Sequence, residues 1–183
     1  MLLGLIGVGK MGRAICERLV EKGNKLVVWN RSPEKIADLG GVTKAATPAE
    51  VALSTDIIIS ILANDNATQV AYFDEAGLTS IPLNNKLIIE ICTTSPERVI
   101  ELEKAIKEKG GQFIEAPVGG TVKPAREGTL LGLVAGDQGA FERARPVLEQ
   151  LTRRIEYLGK TGSAAAMKLA INLPLMVYWG ALG

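Results

Sequence analysis

Histidine is absent from the 183 residues. That absence excludes histidine triads and histidine-rich metal sites, and any acid–base group has to be lysine, tyrosine, cysteine or a carboxylate. Cysteine is scarce, with two residues, Cys16 and Cys92. They lie in a helical stretch and at a strand end without metal-type spacing, so no metal site is expected and a reducing cytoplasm is the expected compartment. Charge of either sign is not in excess: 21 Lys and Arg stand against 20 Asp and Glu. Nothing in that balance calls for a nucleic-acid or anionic-membrane partner. The apolar start has no basic flank and is used up by a strand, so no signal peptide is expected. The apolar run near the C-terminus is about half of the roughly 20 residues a membrane span requires. Repeats, low-complexity segments and flexible linkers are also missing.

What is present begins at once. Gly7, Gly9 and Gly12 form G-x-G-x-x-G between a short apolar strand, Leu2 to Ile6, and a helix whose Ile15, Leu19 and Val20 recur at helical spacing. In such a turn the first glycine permits the bend, the second lets backbone approach a pyrophosphate, and the third allows helix and strand to pack closely. Free N–H groups and the positive helix end then face the phosphates. Gly7, Val8, Gly9, Lys10, Met11 and Gly12 are the first cofactor-binding candidates.

The end of the second strand selects the cofactor. NAD sites place an acidic residue roughly twenty positions beyond the glycines, on the ribose 2′-hydroxyl. Here the strand from Leu26 runs into Trp29-Asn30-Arg31-Ser32-Pro33, with no carboxylate. Arg31 and Ser32 are therefore expected to receive a 2′-phosphate, Arg31 by paired charge-assisted hydrogen bonds and Ser32 by its hydroxyl, with Asn30 a further cofactor-binding candidate beside them. At the usual strength of hydrogen bonds to charged groups, Arg31 alone favours NADP over NAD by about ten- to a hundred-fold. Ser32 can also cap a helix that opens on Pro33, and the two roles are compatible.

The remaining pattern alternates. Ile57 to Leu62, Lys86 to Ile91, Gln112 to Glu115 and Leu130 to Ala135 read as strands; Pro48 to Leu53, Thr68 to Phe73, Pro96 to Lys109 and Phe141 to Thr152 read as helices. This rhythm predicts an α/β fold of Rossmann type, a doubly wound and mostly parallel sheet with ligands at the strands' carboxyl ends. Residues 1–160 form that NADP-binding domain in this reading. Residues 161–183 begin a long helix in which Lys168 and Asn172, four apart, share a face. Its apolar tail (Leu173, Leu175, Met176, Val177, Tyr178, Trp179 and Leu182) would cost roughly 10–20 kcal/mol to leave in water. Cover by a second domain or by another copy of the chain, a homo-oligomer through this helix, is expected. Pro174 is expected to kink or interrupt it.

Four motifs together resemble the β-hydroxyacid dehydrogenase superfamily, the 3-hydroxyisobutyrate and 6-phosphogluconate dehydrogenase type, with imprints of its glyoxylate/succinic-semialdehyde reductase branch. They are the Gly7–Gly12 loop with Trp29-Asn30-Arg31-Ser32; Glu90-Ile91-Cys92-Thr93-Thr94-Ser95-Pro96; Glu115-Ala116-Pro117-Val118-Gly119-Gly120, with Lys123-Pro124-Ala125 behind it; and Met167-Lys168-Leu169-Ala170-Ile171-Asn172. The resemblance implies an NADP(H)-dependent oxidoreductase acting on a small molecule, with Lys168 as the acid–base group and Asn172 on the substrate. It places Thr93 beside the nicotinamide ribose, Leu62 and Ala63 under the cofactor, and Cys92, Gly119 and Gly120 around the substrate. It also implies that a helical second domain lies outside these residues, and that this stretch alone binds NADPH weakly and turns over slowly or not at all.

Three positions depart from the family pattern. Cys92 and Gly119 stand for serines, and Ala63 for a frequent proline, so two hydroxyls that would hold a polar substrate are gone. A larger or less polar substrate fits that change, and imine reduction is the alternative activity. A non-catalytic NADP-binding module that oligomerises through its last helix is the alternative of another class.

Overall fold

The computed structural model describes residues 1–182, apart from the side chains of Leu175, Trp179 and Leu182. The expectations for those three side chains and for Gly183 lie outside the described residues. The strands are β1 (Leu2–Ile6), β2 (Lys25–Trp29), β3 (Val42–Lys44), β4 (Ile57–Ser60), β5 (Leu87–Glu90), β6 (Gln112–Glu115), β7 (Val118–Gly119), β8 (Leu130–Gly136) and β9 (Thr152–Tyr157). The helices are α1 (Lys10–Glu21), α2 (Pro48–Ser54), α3 (Asp65–Phe73), α4 (Pro96–Glu108), α5 (Val122–Glu127), α6 (Gln138–Leu148) and α7 (Ser163–Leu182).

The sheet order is β3-β2-β1-β4-β5-β6-β8-β7, with β9 against β8. From β3 to β6 all neighbours are parallel, and β8 then joins antiparallel to β6 and β7. The doubly wound, mostly parallel α/β fold expected from the alternation is the one observed. Strands covered on both sides must be apolar at every position, and Ile58-Ile59 and Ile88-Ile89 meet that need. Ile59 and Ile89 pack with Ile15 and Leu19 of α1 and with Phe141 and Leu148 of α6. Ile58 and Ile88 face the opposite way, against Val51, Tyr72, Leu102 and Ile106 of α2, α3 and α4, and Ala165 of α7 joins them.

Caps fix most helix starts. Thr47, Asn64, Ser95 and Asp137 accept backbone N–H bonds at the starts of α2, α3, α4 and α6, each worth about 1 kcal/mol. At α1 the N-cap is Gly9, no side chain caps, and the first turn has no acid. Its free N–H groups remain available.

Several elements differ from the sequence reading. The helix expected over Phe141 to Thr152 is Gln138–Leu148, and Thr152 instead opens β9. The strand expected to reach Leu62 stops at Ser60, which frees Ile61 to Ala63 as a connecting segment. α3 starts three residues before Thr68. Pro33 opens only a four-residue 3₁₀ turn, with Ser32 at its N-cap position but no side-chain cap hydrogen bond. β3, β7, β9 and α5 were not anticipated. α7 runs through Pro174, so the interruption expected there does not occur. Leu173, Met176, Val177 and Tyr178 are exposed on it. Among the described residues no helix is long and apolar enough to cross a membrane.

Candidate cofactor and reaction site

The carboxyl ends of five parallel strands, β2, β1, β4, β5 and β6, are stitched together one rung past the sheet. Gly7 N–H donates to Trp29 C=O at 2.9 Å, Ile61 to Ile6 at 2.8 Å, Ile91 to Ser60 at 2.9 Å and Ala116 to Glu90 at 2.7 Å. These rungs line up the segments that follow each strand into one groove. One end is bounded by Gly7, Gly9, Asn30, Arg31, Ser32 and Lys35. The other is bounded by Met11, Cys92, Thr93, Gly120, Lys168 and Asn172. Ile61, Leu62 and Ala63 line both.

The glycines of the first turn differ in what they do. A Cβ on Gly7 would fall 2.0 Å from Ile61 C=O, and one on Gly12 2.1 Å from Gly7 C=O, so both are needed for the chain's own close approaches. A Cβ on Gly9 would meet no protein atom within 4 Å. It would project beside the uncapped start of α1, into space the protein leaves open. A bare backbone position, free helical N–H groups and no nearby acid fit a dinucleotide's pyrophosphate.

Asn30 holds the ribose end together: its Oδ1 accepts Val8 N–H at 2.9 Å and its Nδ2 donates to Ser32 C=O at 2.9 Å. Arg31 is exposed and lines the groove, as does Ser32, whose hydroxyl is not used as a cap. Lys35, which the sequence reading did not single out, joins them. Its turn is pinned to α1 by Arg13, which bonds Asp38 at 2.7 and 3.2 Å and reaches Lys35 C=O. Val8 and Gly12 are buried and act through packing; Lys10 is exposed and lines neither end. Trp29 lines the groove with its indole N–H donated to Ala46 C=O at 3.1 Å.

At the other end Lys168 and Asn172 face the groove from α7, half-buried, and burial lowers the lysine pKa below its ordinary value. Desolvation disfavours the ammonium and makes it a readier proton donor. Beneath Thr93 lies a buried cluster. Tyr72 donates to Glu90 Oε2 at 2.5 Å, Cys92 N–H donates to Glu90 Oε1 at 3.1 Å, and Leu62 N–H donates to the Cys92 sulfur. Burial pushes the Glu90 carboxyl and the Cys92 thiol up, so the thiol stays protonated and is not a nucleophile at neutral pH. Gly120 lines the groove; Gly119 does not. Glu115, the register partner of Glu90 on the neighbouring strand, is equally buried. Its carboxylate accepts the N–H groups of Gly162, Ala164 and Ala165 at 2.6, 3.1 and 3.0 Å. Among the described residues no cluster of three or more Cys, Asp or Glu is placed to hold a metal.

Comparison with known proteins adds to this geometry. The family described as the NAD binding domain of 6-phosphogluconate dehydrogenase matches residues 2–159. Glyoxylate/succinic semialdehyde reductase 1 of Arabidopsis thaliana is 37% identical over 175 residues, covering 94% of this chain and 61% of that protein. A solved structure described as Psf3 in complex with NADP+ and 2-OPP superposes with a TM-score of 0.90 at 31% identity, over 94% of this chain and 62% of that one. Mycobacterium tuberculosis 3-hydroxyisobutyrate dehydrogenase, solved with L-serine, gives 0.86 at 28% identity, over 95% and 60%. The chain spans about six tenths of the length of these relatives.

Proposed function

The chain belongs to the family of the NAD-binding domain of 6-phosphogluconate dehydrogenase, and from that premise we propose that it forms the cofactor half of an NADPH-dependent oxidoreductase. Its substrate is a small aldehyde, or the matching hydroxyacid in reverse, and Lys168 is the acid–base group. One observation carries the reading: a single groove runs from Arg31, Ser32 and Lys35 across Ile61–Ala63 to Lys168 and Asn172.

Arg31, Ser32 and Lys35 hold the 2′-phosphate, and Asn30 offers no carboxylate to repel it. Gly9 and the open start of α1 take the pyrophosphate. The nicotinamide, when bound, supplies or accepts the hydride. Lys168 donates its ammonium proton to the oxygen that becomes the alcohol, leaving a neutral amine that solvent reprotonates. In the other direction the neutral amine takes the hydroxyl proton. Asn172, one turn further along α7, hydrogen-bonds the substrate, and the Gly120 amide bounds its far side. With Cys92 in place of a hydroxyl-bearing residue, the substrate end suits a less polar molecule. The same reading gives this chain no nucleic-acid or membrane partner and a cytoplasmic setting. Further protein, a helical second domain or a second copy, packs on the apolar side of α7.

The test is reduction of glyoxylate and succinic semialdehyde with NADPH by the full gene product, followed by loss of reduced-nicotinamide absorbance. Lys168→Ala is expected to lower turnover by about 10²–10⁴ with the NADPH Kd unchanged. Unaltered turnover in that variant would remove the lysine from the mechanism. Turnover of a cyclic imine, with none of either aldehyde, would replace carbonyl by imine reduction.

A further inference from the structure

α7 begins without a side chain to cap it. Gly162 precedes its first residue at φ +95°, and the N–H groups of its first turn need acceptors. The acceptor comes from 47 to 50 residues away: Glu115, 1% exposed at the end of β6, takes the N–H groups of Gly162 and Ala164 on Oε1 and of Ala165 on Oε2. Lys168 lies three and four residues beyond Ala165 and Ala164, on the same side of the helix one turn up. A single bond would let the helix pivot; three bonds to two oxygens fix its rotation and its height over the sheet. The strand that supplies the carboxylate leads through Ala116 and Pro117 to Val118 and Gly120, which form another wall of the reaction end. Both walls are therefore referenced to one buried side chain.

We infer that Glu115 is a positioning residue: by clamping the start of α7 to β6 it sets where Lys168 meets the substrate bounded by Gly120. The inference rests on the reading of Lys168 as the acid–base group. Glutamine at 115 keeps the volume but has one acceptor oxygen, and its NH₂ would face a backbone N–H that also needs an acceptor. Misplacement by about an ångström costs roughly 10²-fold in rate.

The test uses the full gene product and compares Glu115→Gln, Glu115→Asp and Lys168→Ala. Steady-state kinetics, calorimetric NADPH binding and amide hydrogen exchange over residues 162–168 are measured on each. The expected result for Glu115→Gln is a kcat at least tenfold lower, an NADPH Kd within twofold of wild type, and faster exchange in the first turn of α7. Faster exchange with wild-type kcat would make Glu115 a structural cap only and overturn the inference. Should the glutamine variant fail to fold, Glu115→Asp, which keeps the charge and shortens its reach, is expected to lower kcat; wild-type kcat there is equally fatal. Wild-type turnover in Lys168→Ala would bring down the acid–base reading with it, whereas an inactive Lys168→Ala beside a fully active Glu115→Gln would bring down only the positioning role.

Discussion

The two ends of the groove are built on different plans. At the phosphate end nearly everything comes from two short stretches, Gly7–Gly12 and Asn30–Lys35, and the working parts are backbone N–H groups and exposed cations. At the reaction end five separated segments converge, from Met11 to Asn172. What holds them is a pair of buried carboxyl groups: Glu90 bonded to the Cys92 N–H, and Glu115 under the start of the Lys168 helix. A phosphate is large, charged and tolerant of approach angle, so dipoles and flexible cations suffice. Proton transfer to one oxygen is not tolerant, and its supports must be stiff.

The comparison can be broken first at Gly9. Gly9→Ala adds a methyl group that touches no protein atom, so thermal stability is expected to stay at wild-type level. Overpacking against the bound pyrophosphate, at about 3 kcal/mol, lowers affinity for NADPH and NADH alike by roughly a hundred-fold. Calorimetric titration beside a melting curve checks both halves; a drop in melting temperature with binding intact would show that the turn needs this glycine for itself.

Arg31→Ala sharpens the contrast within the phosphate end. It is expected to weaken NADPH by about ten- to a hundred-fold and leave NADH unaltered. Equal loss for both nucleotides would move Arg31 off the 2′-phosphate.

The smallest effect is expected at Glu90 and depends on pH. Burial holds this carboxyl above its ordinary value of 4.5 in the folded chain. A group that binds its proton more tightly when folded stabilises the fold below its unfolded pKa, and that contribution is lost as pH rises through the folded value. Glu90→Gln should therefore be the more stable partner at neutral pH, with the gap closing as pH falls towards about 4.5. Urea midpoints across that window decide it, and a gap that is constant with pH would mean that Glu90 holds its proton no more tightly in the folded than in the unfolded chain.

Much of this was legible in the residues. The glycine turn, the strand pairs rich in isoleucine and the i, i+4 pairing of Lys168 with Asn172 are local signals, and the structure brings them to one groove. The missing carboxylate after Trp29 was equally plain. Lys35 was not, because its place beside Ser32 depends on a 3₁₀ turn, in which residues three apart eclipse. The sequence there suggested only a helix start. β9 was hidden because Val147, Leu148 and Leu151 continue the apolar spacing of α6, while Arg153, Arg154 and Glu156 look like surface. Glu115 was visible as part of a motif, but its partners are at least 47 residues away and are backbone groups, which leave no trace in residue identity. Gly119 was taken for part of the substrate wall, yet only its neighbour Gly120 lines it.

At Gly119 the fold leaves evolution an open move. A Cβ there would sit 3.5 Å from Leu131 Cβ, an ordinary contact, and the backbone is not in the left-handed region. Serine is one nucleotide change away from half of the glycine codons and would enter without disturbing β7 or β8. Lineages of this chain can therefore gain or lose a hydroxyl next to the substrate wall while their stability is untouched, and selection on substrate range can act there separately from selection on folding.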